Sequence, residues 1–301
     1  TDTALPYSCS FDTTTVPDGL YDLRSITTDN AGNTATSATV ANRRVDNTAP
    51  AAGLTDPGSP LRATVTLNAT GTDTGGSGVA SVTIQRSPAG LSTWTDICTD
   101  ATSPYSCSWN TTGVADGLYD LRSVATDNAG NAAGSTVVAN RSVDNTAPTG
   151  TNVQTTNVGG GTAGEAEAGD TIVLTFSEQI APGTIVSGWN GTGTRTVTVT
   201  GSNGNRITIG GAALTSSFIT LGGGAYFKSG KTVVFASSTV AQSGSTVAIT
   251  LGPPDRSQWV ETVATAGQIS WPVETTLTDL AGNPITSGTV LEVQPPNDAE
   301  F

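Results

Sequence analysis

The 301-residue sequence contains no histidine and no methionine, only two lysines (Lys228 and Lys231) and three cysteines (Cys9, Cys98 and Cys107). Without histidine, Ser-His-Asp and Cys-His nucleophile systems and every His-ligated zinc site are excluded. Three cysteines cannot furnish a four-thiolate site, and the absence of methionine removes the soft ligand set that copper prefers. Lysine-dependent isopeptide bonds are out of reach for residues 1–227, and Lys228 and Lys231 flank a Ser-Gly pair that reads as an exposed hairpin tip. No run of 18 apolar residues occurs, so no helical membrane span is expected. No signal peptide, sorting tail or initiator Met is recognisable, which suggests a processed product or a fragment.

Charge is scarce as well, at 12% of residues against a usual value of about 25%. What charge there is gives a net −13 and a pI near 4.1. Such a chain repels phosphate backbones, so nucleic acid is excluded as a partner, while the acidity favours solubility and attracts divalent cations weakly. Gly and Pro together make up about 17% of the chain, below the roughly 25–30% that marks low-complexity disorder, so folded domains are expected. Paired carboxylates are the remaining route to catalysis, and Glu165, Glu167, Asp170 and Glu178 lie near one another in sequence. Charges flanking a strand read more simply as its solvated ends, and no enzyme activity is expected.

What the sequence does contain is a repeat. Residues 11–50 and 109–148 match at 29 of 40 positions at an offset of 98, sharing DGLYDLRS, TDNAGN and VDNTAP. That period is too long for a solenoid unit and fits one small β-domain per repeat. The expected domains are 1–47, the C-terminal half of a repeat, then 48–148, one complete repeat, then 149–301, a divergent relative that keeps TDLAGNP at Thr278 to Pro284. In the complete repeat, alternating segments predict strands at Ala63–Ala69, Val79–Gln85, Trp94–Cys98, Tyr105–Trp109, Leu118–Thr126 and Ser135–Val143. In the third region they predict strands at Thr171–Phe176, Arg195–Val199, Arg206–Ile209, Thr232–Ala236, Thr246–Leu251 and Thr289–Val293, with Gly159–Gly164 as a loop. The fold class expected from this pattern is all-β: tandem β-sandwiches, the first incomplete.

Cys98 and Cys107 flank the turn-forming segment TDATSP, which predicts a local disulfide and therefore an oxidising, extracellular or cell-surface location. Cys9 corresponds to Cys107 by the repeat offset, and the counterpart of Cys98 falls one position before Thr1. Cys9 is therefore expected to be unpaired or bonded outside the chain. Tyr21 and Tyr119, each three residues after an Asp in DGLYDL, resemble the tyrosine corner of immunoglobulin-like domains and are expected to be buried with their hydroxyls on upstream backbone. An incomplete first sandwich leaves an apolar face around Tyr21, Leu23 and Val40. It predicts either a homo-oligomer built head to tail or a continuation of the array in a longer chain.

The combination of SGVASV (Ser77 to Val82), YSCSWNTTGVADGLYDLRSVATDNAGN (Tyr105 to Asn131) and the VDNTAP linker resembles the bacterial immunoglobulin-like repeats of large secreted and cell-surface proteins. The resemblance covers residues 1–148. Residues 149–301 are similar to related repeats carrying GDTIVLTFSEQI early and DLAGNP late. The resemblance implies a stalk, adhesin or fibre segment, facing a cell surface or a glycan, or alternatively a non-catalytic spacer or binding module of a larger secreted enzyme.

Calcium is the one cofactor the residues suggest. D-x-A-G-N places oxygen-bearing side chains four apart around a glycine turn, giving Asp29 with Asn33, Asp127 with Asn131, and Asp279 with Asn283 as candidate ligands. Asp46 and Asp144 sit in the two VDN linkers, where an ion would stiffen a junction. The same residues are what a tight turn uses for positive φ and side-chain capping, and turn chemistry is the plainer reading of them.

Overall fold

A computed structural model describes residues 1–293 and 301. The chain divides into two compact units, Thr1–Asp144 and Asn145–Phe301, and all regular structure beyond a few single turns is β.

In the first unit the strands are β1 (Gly19–Leu23), β2 (Ile26–Thr28), β3 (Thr34–Thr36), β4 (Val40–Val45), β5 (Ala51–Leu54), β6 (Thr64–Thr72), β7 (Val79–Pro88), β8 (Thr95–Asp100), β9 (Ser106–Asn110), β10 (Gly117–Asp127), β11 (Ala132–Gly134) and β12 (Val138–Val143). Strands β5, β6 and β9 form one sheet; β11, β10, β7 and β8 form the other, with β12 also on β10. The inner faces follow from period-two alternation. Along β10, Tyr119, Leu121, Ser123, Ala125 and Asp127 all point inward. They meet Leu67, Ala69, Cys107 and Trp109 of the opposite sheet, and Val82 and Ile84 of β7. This is a sandwich, as the alternation predicts.

Three boundaries differ from the sequence reading. β5 is missed because Ala-Ala-Gly-Leu has no β-branched residue to mark it; it forms by pairing Ala51–Leu54 with Thr72–Ala69. The strand predicted at Ser135–Val143 starts only at Val138, because β11 ends at Gly134 and Ser135 uses its side chain to accept from the Ser123 N–H and leaves the ladder before β12 begins. In residues 1–47 the long strand equivalent to β10 is broken into β1 and β2, which pair only with β4 and β3.

In the second unit the strands are β13 (Gly150–Thr156), β14 (Thr171–Phe176), β15 (Arg195–Ser202), β16 (Arg206–Gly210), β17 (Ile219–Thr220), β18 (Thr232–Ser243), β19 (Thr246–Thr250), β20 (Ser270–Pro272) and β21 (Thr289–Leu291), with one helical turn at Pro182–Ile185. They form a single antiparallel sheet in the order β13-β14-β19-β18-β15-β16-β17-β20-β21. The sheet curls around one core. A Cβ on Gly150 of β13 would crowd Val290 of β21 and Trp271 of β20, so the first strand packs on the last two. Ile172, Leu174 and Phe176 of β14, Val247 and Ile249 of β19, and Val233, Phe235 and Val240 of β18 fill the interior, with Phe176 edge-on to Trp271 at 5.2 Å. β18 runs past its predicted end because a bulge at Ser237, φ 59°, restores the inward alternation. Gly201 inside β15 is obligatory, since a Cβ there would strike the ring of Phe227.

Candidate functional site

The D-x-A-G-N turns close in the same way in all three places. Asn Nδ2 donates to Asp Oδ2 at 2.8 Å, and the Asn backbone N–H donates to Asp Oδ1 at 2.8 Å, in Asp29–Asn33, Asp127–Asn131 and Asp279–Asn283. The Asn side chain presents an amide N–H to the Asp and so braces the turn from within. Hydrogen bonding by Asn33 also holds the Asp29 carboxyl below the usual range. Asp29 and Asn33 lie on the exposed β2–β3 turn, away from any group of three acids among the described residues.

Asp127 differs from Asp29 in its surroundings. It ends the inward row of β10 and is buried. Two further carboxylates converge on it: Asp46 from the linker after β4, and Asp73 from the TDTGGSG loop after β6. Each offers an oxygen, and the three atoms lie within 4.8 Å of one another. The loops are fixed by backbone donors. Asp46 Oδ2 accepts from the Ser77 N–H at 2.6 Å and Asp73 Oδ2 from the Gly78 N–H at 2.7 Å. Asn131 Nδ2 reaches the Asp46 carbonyl at 3.1 Å. A Cβ on Gly76 would press on the Asp73 carboxylate and displace it from this position. Ser77, first among its partners, holds the Asp46 carboxyl in its ionised form below the usual range. Like charges gathered at such range repel, and a cation relieves the repulsion while using carboxylate oxygens that Ca2+ prefers.

Asp73 escaped the sequence reading. Its signal was an acid at the head of a glycine-rich loop between two strands. Asn47, next to Asp46 in the VDN linker, points the other way: it binds Asp18 Oδ1 through its backbone N–H at 2.8 Å and the Thr13 carbonyl through Nδ2 at 3.1 Å. Adjacent residues of an extended linker face opposite sides, so Asp46 serves the complete repeat while Asn47 ties back to the first. Asp144 closes the first unit, its N–H on the Leu61 carbonyl at 2.9 Å. Asp279 is buried in the second unit and capped by Asn283.

The remaining candidates are structural. Cys98 of β8 is bonded to Cys107 of β9, joining the two sheets, and Cys9 is free and exposed. Tyr119 is buried, its hydroxyl donating to the Ala115 carbonyl at 2.9 Å and its ring edge-on to Trp109. Tyr21 makes the same bond to Pro17 at 2.7 Å but is only half-buried, which corrects the expectation that both rings are enclosed; among the described residues no opposing sheet covers its half-repeat. The acids of the third region brace a loop. Asp170 accepts from the Val158 and Glu167 N–H groups, and burial pushes its carboxyl up despite both bonds. Glu167 takes the Thr162 N–H at 2.6 Å and Glu165 the Thr262 hydroxyl at 3.2 Å.

Two antiparallel layers around a Trp-Tyr-Leu core, bridged by a disulfide, define an immunoglobulin-type β-sandwich module. Residues 44–122 match the family model described as a bacterial Ig domain, the family that the repeats resemble. No curated protein matches the chain. Among solved structures, the chain is similar to the fibronectin(III)-like modules of Clostridium thermocellum CbhA, with 15% identity, 80% of this chain and 93% of that one covered, and a TM-score of 0.28. It is similar also to a Ca2+-stabilised, ice-binding adhesin of an Antarctic bacterium, with 19% identity, 91% and 56% covered, and a TM-score of 0.30. The FN1–FN3 domains of chicken CNTN1 match at 11% identity, with 91% and 78% covered and a TM-score of 0.30. No helix among the described residues is long and apolar enough to cross a membrane.

Proposed function

We propose that this chain is a non-catalytic structural or adhesive segment of an extracellular or cell-surface protein, a series of immunoglobulin-type modules. Calcium bound by Asp46, Asp73 and Asp127 stiffens the passage from the first repeat to the second. The observation that carries the reading is the convergence of three carboxylates, from a linker, a loop and the end of a strand, at the point where one repeat hands over to the next. An ion there fixes the linker to the following sandwich, as a rod that transmits force requires. The match to the bacterial Ig family and the disulfide support the extracellular setting.

Titration of the chain with CaCl2 after chelation tests it. Extracellular modules bind Ca2+ with Kd on the order of 10⁻⁴–10⁻³ M, and a tenfold excess over Kd raises the Tm of a domain this size by roughly 5 °C or more. Asp73→Asn removes the shift while leaving the fold intact. A melting midpoint that ignores calcium, or an equal shift in D73N, refutes the cation site.

A further inference from the structure

Residues 1–47 repeat the second half of the complete sandwich, with the same strand register: Gly19↔Val45, Tyr21↔Arg43 and Leu23↔Val40 correspond to Gly117↔Val143, Tyr119↔Arg141 and Leu121↔Val138. The positions that face the other half of the sandwich are bare in one copy and enclosed in the other. Tyr7, Phe11 and Leu23 are 63%, 50% and 43% exposed; their counterparts Tyr105, Trp109 and Leu121 are 8%, 4% and 0%. The complete repeat shows what encloses them: Leu67 and Ala69 of β6, Val82 and Ile84 of β7, and Cys98 of β8 on Cys107.

Charged groups are complementary in the same way. In the complete repeat Arg122 Nε donates to Gln85 Oε1 at 2.8 Å and its guanidinium lies 4.2 Å from the Trp94 ring centroid, while Asp120 Oδ2 accepts from the Gly90 N–H at 2.8 Å. Arg24 and Asp22 hold the equivalent places. Asp22 keeps the bond from the Asn42 N–H at 3.0 Å that Asp120 makes with Asn140. Neither the Gln-Trp clamp on the arginine nor the Gly N–H on the aspartate has an equivalent among the described residues.

We infer that the open face of residues 1–47 is the receiving surface for a first half-repeat: a segment of strands patterned like residues 51–100, with apolar residues at the places of Leu67, Val82 and Ile84, Gln and Trp at those of Gln85 and Trp94, and a cysteine at that of Cys98. A second copy of this chain is not the occupant, because its own residues 51–100 are committed to covering β9 and β10, with Leu67 fully buried. This inference stands independently of the calcium reading.

The test mixes the full chain with a polypeptide of residues 48–98 of the same sequence in a buffer with oxidised glutathione. Two thiols, Cys9 and the probe's Cys98, pass two electrons to the glutathione disulfide, which leaves as two glutathione thiols carrying the two protons, and one interchain S–S bond forms. The expected result is a one-to-one complex by light scattering, a Cys9–Cys98 linkage by mass spectrometry, and amide exchange slowed at least tenfold over Tyr21–Leu23. Leu23→Asp in the chain, at an exposed position, abolishes all three, and so does a probe carrying Leu67→Asp and Ile84→Asp. Fusing residues 48–98 directly ahead of Thr1 restores the repeat register and covers the case of a probe that aggregates. Unslowed exchange at Leu23 in that fusion, equal binding by either Asp variant, or a dimer of the chain alone with this face already protected would overturn the inference.

Discussion

Residues 11–50 and 109–148 share 29 of 40 positions and yet are not the same structure. Ser106–Asn110 is a strand, β9, because β6 lies beside it; Ser8–Asp12, its counterpart, belongs to no strand. β10 is continuous over 11 residues because β7 pairs with it from Tyr119 to Asp127, whereas β1 and β2 stop where their pairings with β4 and β3 stop. Leu121 is sealed and Leu23 is wet. A strand is a relation between two segments, and identical text without its neighbour yields only what it can hydrogen-bond within itself.

That contrast can be broken or sharpened by paired substitutions. The largest difference is expected at the leucines. Leu121→Ala opens a cavity in a closed core and costs about 2–5 kcal/mol, while Leu23→Ala, at a solvated position, changes stability by less than about 0.5 kcal/mol. Urea unfolding of the two variants measures both, and equal losses would mean that the first half-repeat is packed after all.

The tyrosines come next. Tyr119→Phe deletes a hydrogen bond in a buried setting and costs about 1 kcal/mol, whereas at half-buried Tyr21 water replaces the lost partner and Tyr21→Phe costs roughly half of that or less. Thermal melts in the same buffer read the ratio, and a larger loss at Tyr21 contradicts the burial contrast.

The smallest effect is electrostatic. The Asp29 carboxyl is held low first by the Asn33 side chain and then by backbone N–H groups. Its contribution to the β2–β3 turn is therefore present above the ordinary aspartate range and is lost as pH falls through the lowered folded value. Carboxyl NMR titration should place Asp29 below a model aspartate, and Asn33→Ala should bring it back toward that value. An unmoved titration in N33A would remove the turn as the cause.

Much of the fold was legible because its signals are local and repeated. Alternation located the main strands of both units, and the predicted Thr171–Phe176 coincides with β14. The elements that escaped are those whose identity rests on a partner: β5, made of Ala-Ala-Gly-Leu; β11, three residues long; β13, the polar run Gly150–Thr156 that pairs with β14; β17, two residues long; and β20, with a proline in it. The acidic site was half legible. Asp46 and Asp127 stood out by their motifs, but Asp73, 27 residues from the nearer of them in sequence, joins them only when β6 and β7 bring their loop over the end of β10.

What the sequence settles alone is whatever closes within a few residues or across one hairpin. The D-x-A-G-N turns have the same 2.8 Å bonds in the bare copy and the complete one. Both corner tyrosines bond the carbonyl four residues upstream, and Asn42 and Asn140 adopt the same left-handed φ, 56° and 58°. These contacts need no distant partner, so their geometry travels with the text. Burial, strand identity at Ser106–Asn110, the Gln-Trp clamp on Arg122 and the meeting of Asp46, Asp73 and Asp127 were decided by tertiary structure. Each depends on a second segment arriving from far along the chain to exclude water or complete a ladder.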